Sequence, residues 1–505
     1  MTAQLPALIP LPLLALSILA PVAGMWRQGI AFWLAVATIA FSTAMSAWAL
    51  AHVIAHGPMS YEFGGWEPPL GIEYVVDHVA AFVSLIVMVV ALAVVVATRR
   101  MAEQEMQGRQ GLYYSLVLLL LAGLTGIVVT ADLFNLFVFL EISSLAGYAL
   151  VFHGGRKGML AGYRYLILGT LGGAFYLLGV AFLYFETGTL NMAHTLAILS
   201  ASEATAPVSA GAVFIFVGLG LKMALVPLHL WLPDAYTFAP SSVNTLIAPI
   251  MTKVGAYAML RMFLSVFPEG YLIDEVPIGQ ALIALGALGV LFGAVVAFRQ
   301  QDIRRLLAYS SISQLGFIAI GIGLATPLGF VAALLHIMNH ALMKGTLFLA
   351  VMAIRLQTGV SEVPALAGLG RRLPITAAAF TVGAIAMVGV PPTAGFFSKW
   401  YLSIAAVEQD LWVILAVVLI SSLLSAAYLF RVLERAYLAH PPAAPDGPHD
   451  EPEREAQRTR LPLLGVTWEP RVDVLLPLVL LAAATIVLGV LNVVVVRQVL
   501  EPGTQ

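Results

Sequence analysis

Seven side chains stand out because they ionise where ionisation is costly. Glu141, Lys222, Lys253, His336, His340, Lys344 and Lys399 each fall inside an apolar run long enough to cross a bilayer. A charge at bilayer depth costs from about 3 to more than 10 kcal/mol, depending on how it is assessed. A chain that keeps several such groups is using them. Amines, imidazoles and a carboxylate in series can hand protons along, because each charge shifts the proton affinity of its neighbours. One pKa unit is about 1.4 kcal/mol, so a proton moving onto a carboxylate can switch a nearby lysine between charged and neutral. Sodium, by contrast, needs a shell of oxygen ligands, and lysine is a poor neighbour for it. Protons are therefore the expected cargo of this chain.

The surroundings of each group sharpen that expectation. Glu141 lies nine residues into DLFNLFVFLEISSLAGYAL, which puts it about 13 Å along a helix and near the midplane. Lys222 and Lys253 occupy two consecutive apolar runs, joined by a turn that holds Pro227, His229, Trp231, Pro233, Asp234 and Pro240. Pro227 removes a backbone hydrogen bond close to Lys222 and is expected to break that helix. A broken helix beside a buried charge is how many transporters build an ion site. Glu141 and Lys222 could instead form a static pair pinning two helices, but two apolar residues would serve that purpose as well or better.

His336, His340 and Lys344 are spaced four apart in LLHIMNHALMKGTLF and share one helix face. That row suits proton hopping, and a structural polar seam is the plainer alternative. Metal binding by the two histidines lacks an obvious third ligand in this helix, so no metal is expected. Lys399 follows Pro391, Pro392 and Gly395 in a second interrupted span. Ser310, Ser311 and Gln314 sit with Tyr309 and Ser313 in RRLLAYSSISQLGFIAI. They can hold waters in line, or equally form interhelical hydrogen bonds worth about 1 kcal/mol or less. His229 and Asp234 mark a candidate cytoplasmic inlet or relay, and Asp132 reads as a helix cap.

The elements that must position these groups follow from composition. The chain has 505 residues, of which 60% are hydrophobic and only 10% charged. Too few charges exist to clothe a soluble protein of that size, so the fold is an all-α polytopic membrane protein. A net charge of -2 with no basic face gives nucleic acid no purchase. Without cysteine there is no disulfide and no iron–sulfur cluster, and no glycine-rich phosphate loop follows a strand. No cofactor and no redox or hydrolytic site is expected in this chain.

Fourteen runs approach the roughly 20 residues that a span requires. They cover 5–23, 30–54, 78–98, 112–130, 132–152, 163–185, 210–230, 243–265, 279–298, 304–324, 328–354, 374–404, 411–438 and 473–496. With both termini outside, 19 of the 25 lysines and arginines fall in inner loops or at the inner ends of spans, while outer loops carry Glu62, Glu73, Asp77, Glu269 and Asp274. The expected location is the cell's inner (plasma) membrane. The N-terminus lacks the basic opening of a signal peptide and reads as a first span. Residues 440–471, rich in Pro, Glu and Arg, read as a flexible inner loop.

Five motifs, TADLFNLFVFLEISSLAGYAL, GLKMALVPLHLWLPDAY, DIRRLLAYSSISQLGF, HIMNHALMKGTLF and PPTAGFFSKW, resemble the antiporter-like membrane subunits. These occur in Mrp-type cation/proton antiporters, respiratory complex I and membrane-bound hydrogenases. The wording is most similar to the D-type member of Mrp antiporters. The resemblance implies fourteen helices with broken helices 7 and 12 and two inverted five-helix repeats, helices 4–8 and 9–13. The implied divisions are 1–111, repeats at 112–265 and 279–438, a cytoplasmic loop at 439–472 and a last helix at 473–505. It also implies a central polar axis made of Glu141, Lys222, Lys253, His336, His340, Lys344 and Lys399. The function implied is proton translocation in a multisubunit Na+/H+ antiporter; the alternative is a proton-pumping subunit of an NADH:quinone oxidoreductase or hydrogenase. Partners are then other membrane subunits, protons, Na+ in the antiporter case, and the lipid bilayer.

Overall fold

The computed structural model describes residues 4–439 and 469–504. The expected inner loop therefore lies almost wholly outside the described residues. In chain order the principal helices are α1 (Leu11–Trp26), α2 (Gln28–His56), α3 (His78–Ala97), α4 (Arg99–Met106), α5 (Gln110–Val129), α6 (Leu133–Phe152), α7 (Gly155–Thr187), α8 (Ala206–Lys222) and α9 (Leu232–Phe238). They continue with α10 (Ser241–Ser265), α11 (Ile278–Phe298), α12 (Ile303–Gly323), α13 (Pro327–Thr358), α14 (Pro374–Val388), α15 (Ala394–Glu408), α16 (Trp412–Tyr437) and α17 (Val472–Val490). Twelve helices among the described residues are long and apolar enough to cross a membrane. The two remaining runs, at 210–230 and 374–404, are not single helices. Helix α8 stops at Lys222, well before the expected end at 230, and the second run divides into α14 and α15 around Gly389–Thr393.

Helices α10, α12 and α13 are buried on nearly every side although they are the least apolar of the twelve spans, as expected where ionisable and polar side chains must be kept away from lipid. They form the centre, and the other spans wrap them with one face outward; α7, for example, exposes Leu160, Ile167 and Leu171. Small residues bring some pairs very close. A Cβ on Gly218 of α8 would lie 2.6 Å from the Gly172 carbonyl of α7, and one on Gly316 of α12 would lie 2.4 Å from the Gly286 carbonyl of α11.

Capping fixes where several helices begin. Asp132 accepts from the Asn135 amide at 2.6 Å, the cap expected of it. Helix α10 follows Pro240, which has no side-chain acceptor, and a remote carboxylate fills the role. Glu105 of α4 accepts from the Ser241 and Ser242 amides at 2.6 and 2.9 Å and from the Ser242 hydroxyl at 2.7 Å. Glu469 does the same for α14, accepting from the Ile375 and Thr376 amides at 2.6 and 3.1 Å. Both acids sit where the helix dipole is positive.

A hairpin that the apolar runs did not foretell, β1 (Met59–Glu62) with β2 (Glu73–Val76), pairs antiparallel with Glu62 opposite Glu73. It lies at the end of the bundle that carries Glu73, Asp77 and Arg261, the acidic face. Arg99, Arg164, Arg304 and Arg305 lie toward the opposite, basic face.

Candidate functional site

The end of α8 creates the first half of the site. Lys222 is its last residue, so the amine sits at the negative end of the helix dipole. Its Nζ donates to Glu141 Oε1 at 3.1 Å and to Ser144 Oγ at 2.7 Å. The lysine is buried, while the Glu141 side chain keeps 22% of its surface exposed. Beyond the break, the Trp231 indole donates to the Leu221 carbonyl at 3.0 Å and stacks on Tyr165. The same carbonyl accepts from the Ala224 amide at 3.1 Å, so the indole ties the end of α8 to the segment beyond the break. A cavity of about 20 Å³ adjoins Lys222 between Ser144, Trp231, Met251 and Gly255, room for roughly one water. Because Met251 and Gly255 belong to α10, this space opens from Lys222 toward the helix of Lys253.

Lys253 turns back along α10, donating to the Ala248 carbonyl at 2.6 Å beside Pro249. Its helix packs along α13, which carries His336, His340 and Lys344. Lys344 donates to Ser310 Oγ at 2.6 Å and to the Leu307 carbonyl at 2.7 Å, both on α12. The His336 and His340 rings stack with centroids 6.1 Å apart. Nδ1 of His336 lies 2.8 Å from Ser398 Oγ, next to Lys399.

Lys399 closes the second break. It donates to the Met387 and Val388 carbonyls, both at 3.0 Å, and to Ser422 Oγ at 3.2 Å. Those carbonyls end α14, so an amine again sits at the C-terminus of an interrupted helix, here supplied from across the gap. Both nitrogens of His340, Nε2 of His336 and both amide atoms of Gln314 are buried and bond no protein group among the described residues. Buried polar groups of this kind are ordinarily met by internal water.

The structure therefore brings Glu141 to Lys222, and Lys253 to the His336–His340–Lys344 row, with Lys399 at the far end. Ser310 joins this array through Lys344, whereas the Ser311 hydroxyl bonds its own helix at the Leu307 carbonyl. His229 and Asp234 bond none of these groups among the described residues, and Nδ1 of His229 is itself buried without a protein partner. The His229 ring packs edge-on to Phe292, and Asp234 pairs with Arg164 at 2.8 Å and Arg305 at 3.5 Å. Ser144 and Ser398 escaped the sequence reading. Ser144 lies three residues after Glu141, on the same helix face, and that spacing was a usable signal. No group of three or more His, Asp or Glu residues suited to a metal occurs among the described residues.

Buried ionisable groups on interrupted helices, strung across a bundle of spans, define a multi-pass integral membrane protein of the ion-translocating class. The chain belongs to the NADH:quinone oxidoreductase/Mrp antiporter transmembrane family, whose pattern matches residues 130–425. It is 42% identical to the N-type chain of the NADH-quinone oxidoreductase of Desulforudis audaxviator, over 99% of this chain and 98% of that one. It is 32% identical to the D-type chain of the Na(+)/H(+) antiporter of Alkalihalophilus pseudofirmus, over 86% of this chain and 84% of that one. A chain of the Mrp complex from Dietzia sp. superposes with a TM-score of 0.87 at 25% identity, covering 99% of this chain and 96% of its own.

Proposed function

We propose that this chain is the proton-translocating membrane subunit of a multisubunit Na+/H+ antiporter of Mrp type. Protons move along Glu141, Lys222, Lys253, His336, His340, Lys344 and Lys399. The observation that carries the reading is the Glu141–Lys222 contact of 3.1 Å at the end of a helix interrupted inside the membrane. Protonating Glu141 weakens the hold on the Lys222 amine, which then favours release of its own proton toward α10. Each later member repeats the step with its neighbour. Two five-helix units, 112–265 and 279–438, would each supply one interrupted span. The basic face is the cytoplasmic one by charge distribution, which puts both termini outside the inner membrane. Resemblance to a D-type antiporter chain and to a chain of the Mrp complex supports other membrane subunits as partners.

A second reading, the proton-pumping subunit of a quinone-reducing redox arm, is favoured by the 42% identity to the N-type oxidoreductase chain along almost the whole length. The same axis would serve either machine. Everted vesicles carrying the native complex separate the two: Na+-driven collapse of a pH gradient marks the antiporter, redox-driven acidification of the lumen marks the pump. Lys222→Ala abolishes whichever activity is present. Coupled transport that survives both Lys222→Ala and Glu141→Ala would overturn the proton-path reading.

A further inference from the structure

Lys253, Tyr257 and Arg261 occupy successive turns of one face of α10, rising toward the acidic face. The Arg261 guanidinium donates to the Tyr257, Asp77 and Ser265 side chains. Nε donates to Tyr257 Oη at 2.6 Å, while Nη1 and Nη2 donate to Asp77 Oδ2 and Oδ1 at 2.6 and 2.5 Å. Tyr257 spends its own proton on the Val128 carbonyl at 2.7 Å. A second lysine–tyrosine–arginine series runs the opposite way. Lys344 bonds Ser310, Tyr428 of α16 lies beside Ser310 and Ser425, and Arg431 follows three residues later toward the basic face. Arg431 donates through Nη1 to the Phe298 carbonyl at 2.8 Å and through Nη2 to the Gln300 carbonyl, at the end of α11.

We propose that Arg261 and Arg431 are the two stops of the proton path, the first blocking escape from Lys253 to the acidic face and the second blocking escape from Lys344 to the basic face. The inference rests on the proton-translocating reading above. A chain of hopping protons needs members that both accept and donate. A guanidinium has five donors, no acceptor, and does not lose its proton in proteins. A row of waters or hydroxyls that meets one therefore ends there. Bidentate pairing with Asp77 in one case, and two backbone carbonyls in the other, fix each guanidinium in place. With one stop at each face, a proton that reaches Lys253 from the basic side leaves only by crossing the core to α13. This gives the lateral step a structural cause: neither lysine has a straight route across the membrane.

The test is passive proton conductance of the assembled complex in proteoliposomes, with neither coupling cation nor redox substrate present. An imposed pH gradient is followed under a potassium–valinomycin clamp. Arg261→Gln is made together with Asp77→Asn, so that no carboxylate is stranded, and Arg431→Gln is made separately. The gradient is expected to collapse several-fold faster in each. Adding Lys253→Met to the first or Lys344→Met to the second should restore the wild-type rate, because the leak runs through that lysine. Wild-type tightness in assembled variants, or a leak indifferent to the lysine, overturns the proposal. If the Arg261 variant does not assemble, Arg431→Gln alone decides. Tight Arg variants alongside a dead Lys222→Ala sink only the stops, whereas a fully coupled Lys222→Ala sinks the proton path itself.

Discussion

Gly173 lies against Glu141 so closely that a Cβ on the glycine would stand 2.2 Å from Glu141 Oε1 and 3.0 Å from Cδ. The carboxylate therefore rests on the bare backbone of α7 while its Oε1 accepts from Lys222. Gly173→Ala must push the carboxylate away from the amine. In helices generally this exchange is favourable by about 0.5–1 kcal/mol, so the complex should assemble normally. Transport, which depends on placement within fractions of an ångström, should fall by about tenfold or more. Vesicle transport measured beside thermal stability checks this. Full transport would mean that Glu141 works from more than one position.

Lys222 and Glu141 also make a prediction that separates stability from activity. Removing one partner of a buried ion pair costs about 3–5 kcal/mol, whereas replacing both by apolar residues of similar size is often neutral. Glu141 is part-exposed, so the lower end of that range is expected. Lys222→Met should then lower the melting temperature more than Lys222→Met with Glu141→Leu does. Both variants should be inactive. A double variant as unstable as the single would mean that Ser144, or water, supplies most of the lysine's support.

Much of this arrangement was readable beforehand because the membrane leaves few choices. A run of about 20 apolar residues has only one way to satisfy its backbone in lipid, and a lysine inside such a run announces itself. Pro227 foretold a break, yet not that the helix would stop at Lys222 itself, because residues 223–231 are as apolar as a span. The hairpin at Met59–Val76 escaped notice for the opposite reason: it lies between spans and is held by long-range pairing such as Asn191 to Glu73. Asp234 reads as an inlet or relay, and its partners are beyond the reach of local sequence. Only the fold reveals Arg164, 70 positions earlier, and Arg305 converging on it. Glu105 gave no signal at all, since its contacts are with Ser241 and Ser242 more than 130 residues away.

That remote cap carries its own prediction. Glu105 supplies the acceptors for two amides and one hydroxyl at the start of α10, the helix of Lys253 and Arg261. Loss of an N-cap costs about 0.5–2 kcal/mol. Glu105→Ala should therefore lower stability by about that amount and fray the first turn. Glu105→Gln keeps an acceptor and should lose less. Hydrogen exchange at the Ser241 and Ser242 amides gives the direct reading. Unchanged protection in the alanine variant would mean that neighbouring groups already satisfy them.

Asp77 sets the acid limit of the Arg261 stop. It precedes α3 at the acidic end of the bundle, where burial opposes its charge. Arg261, by its charge and its two hydrogen bonds, and the Ala80 amide together hold its pKa below the usual carboxylate value. A carboxyl with a depressed folded pKa contributes stability above its unfolded pKa, about 3.9, and loses that contribution as pH falls through the folded value. The Asp77–Arg261 contribution should therefore be constant from neutrality to about pH 4 and decline only below it. Asp77→Asn removes the titrating group. Its melting temperature should lie below wild type near neutrality, and the gap should narrow as the pH drops under about 4. Melting temperatures of both complexes across that window decide the matter. Parallel curves down to the most acidic pH the complex tolerates would mean that the bridge is not what acid removes, and that the stop at Arg261 holds by packing instead of charge.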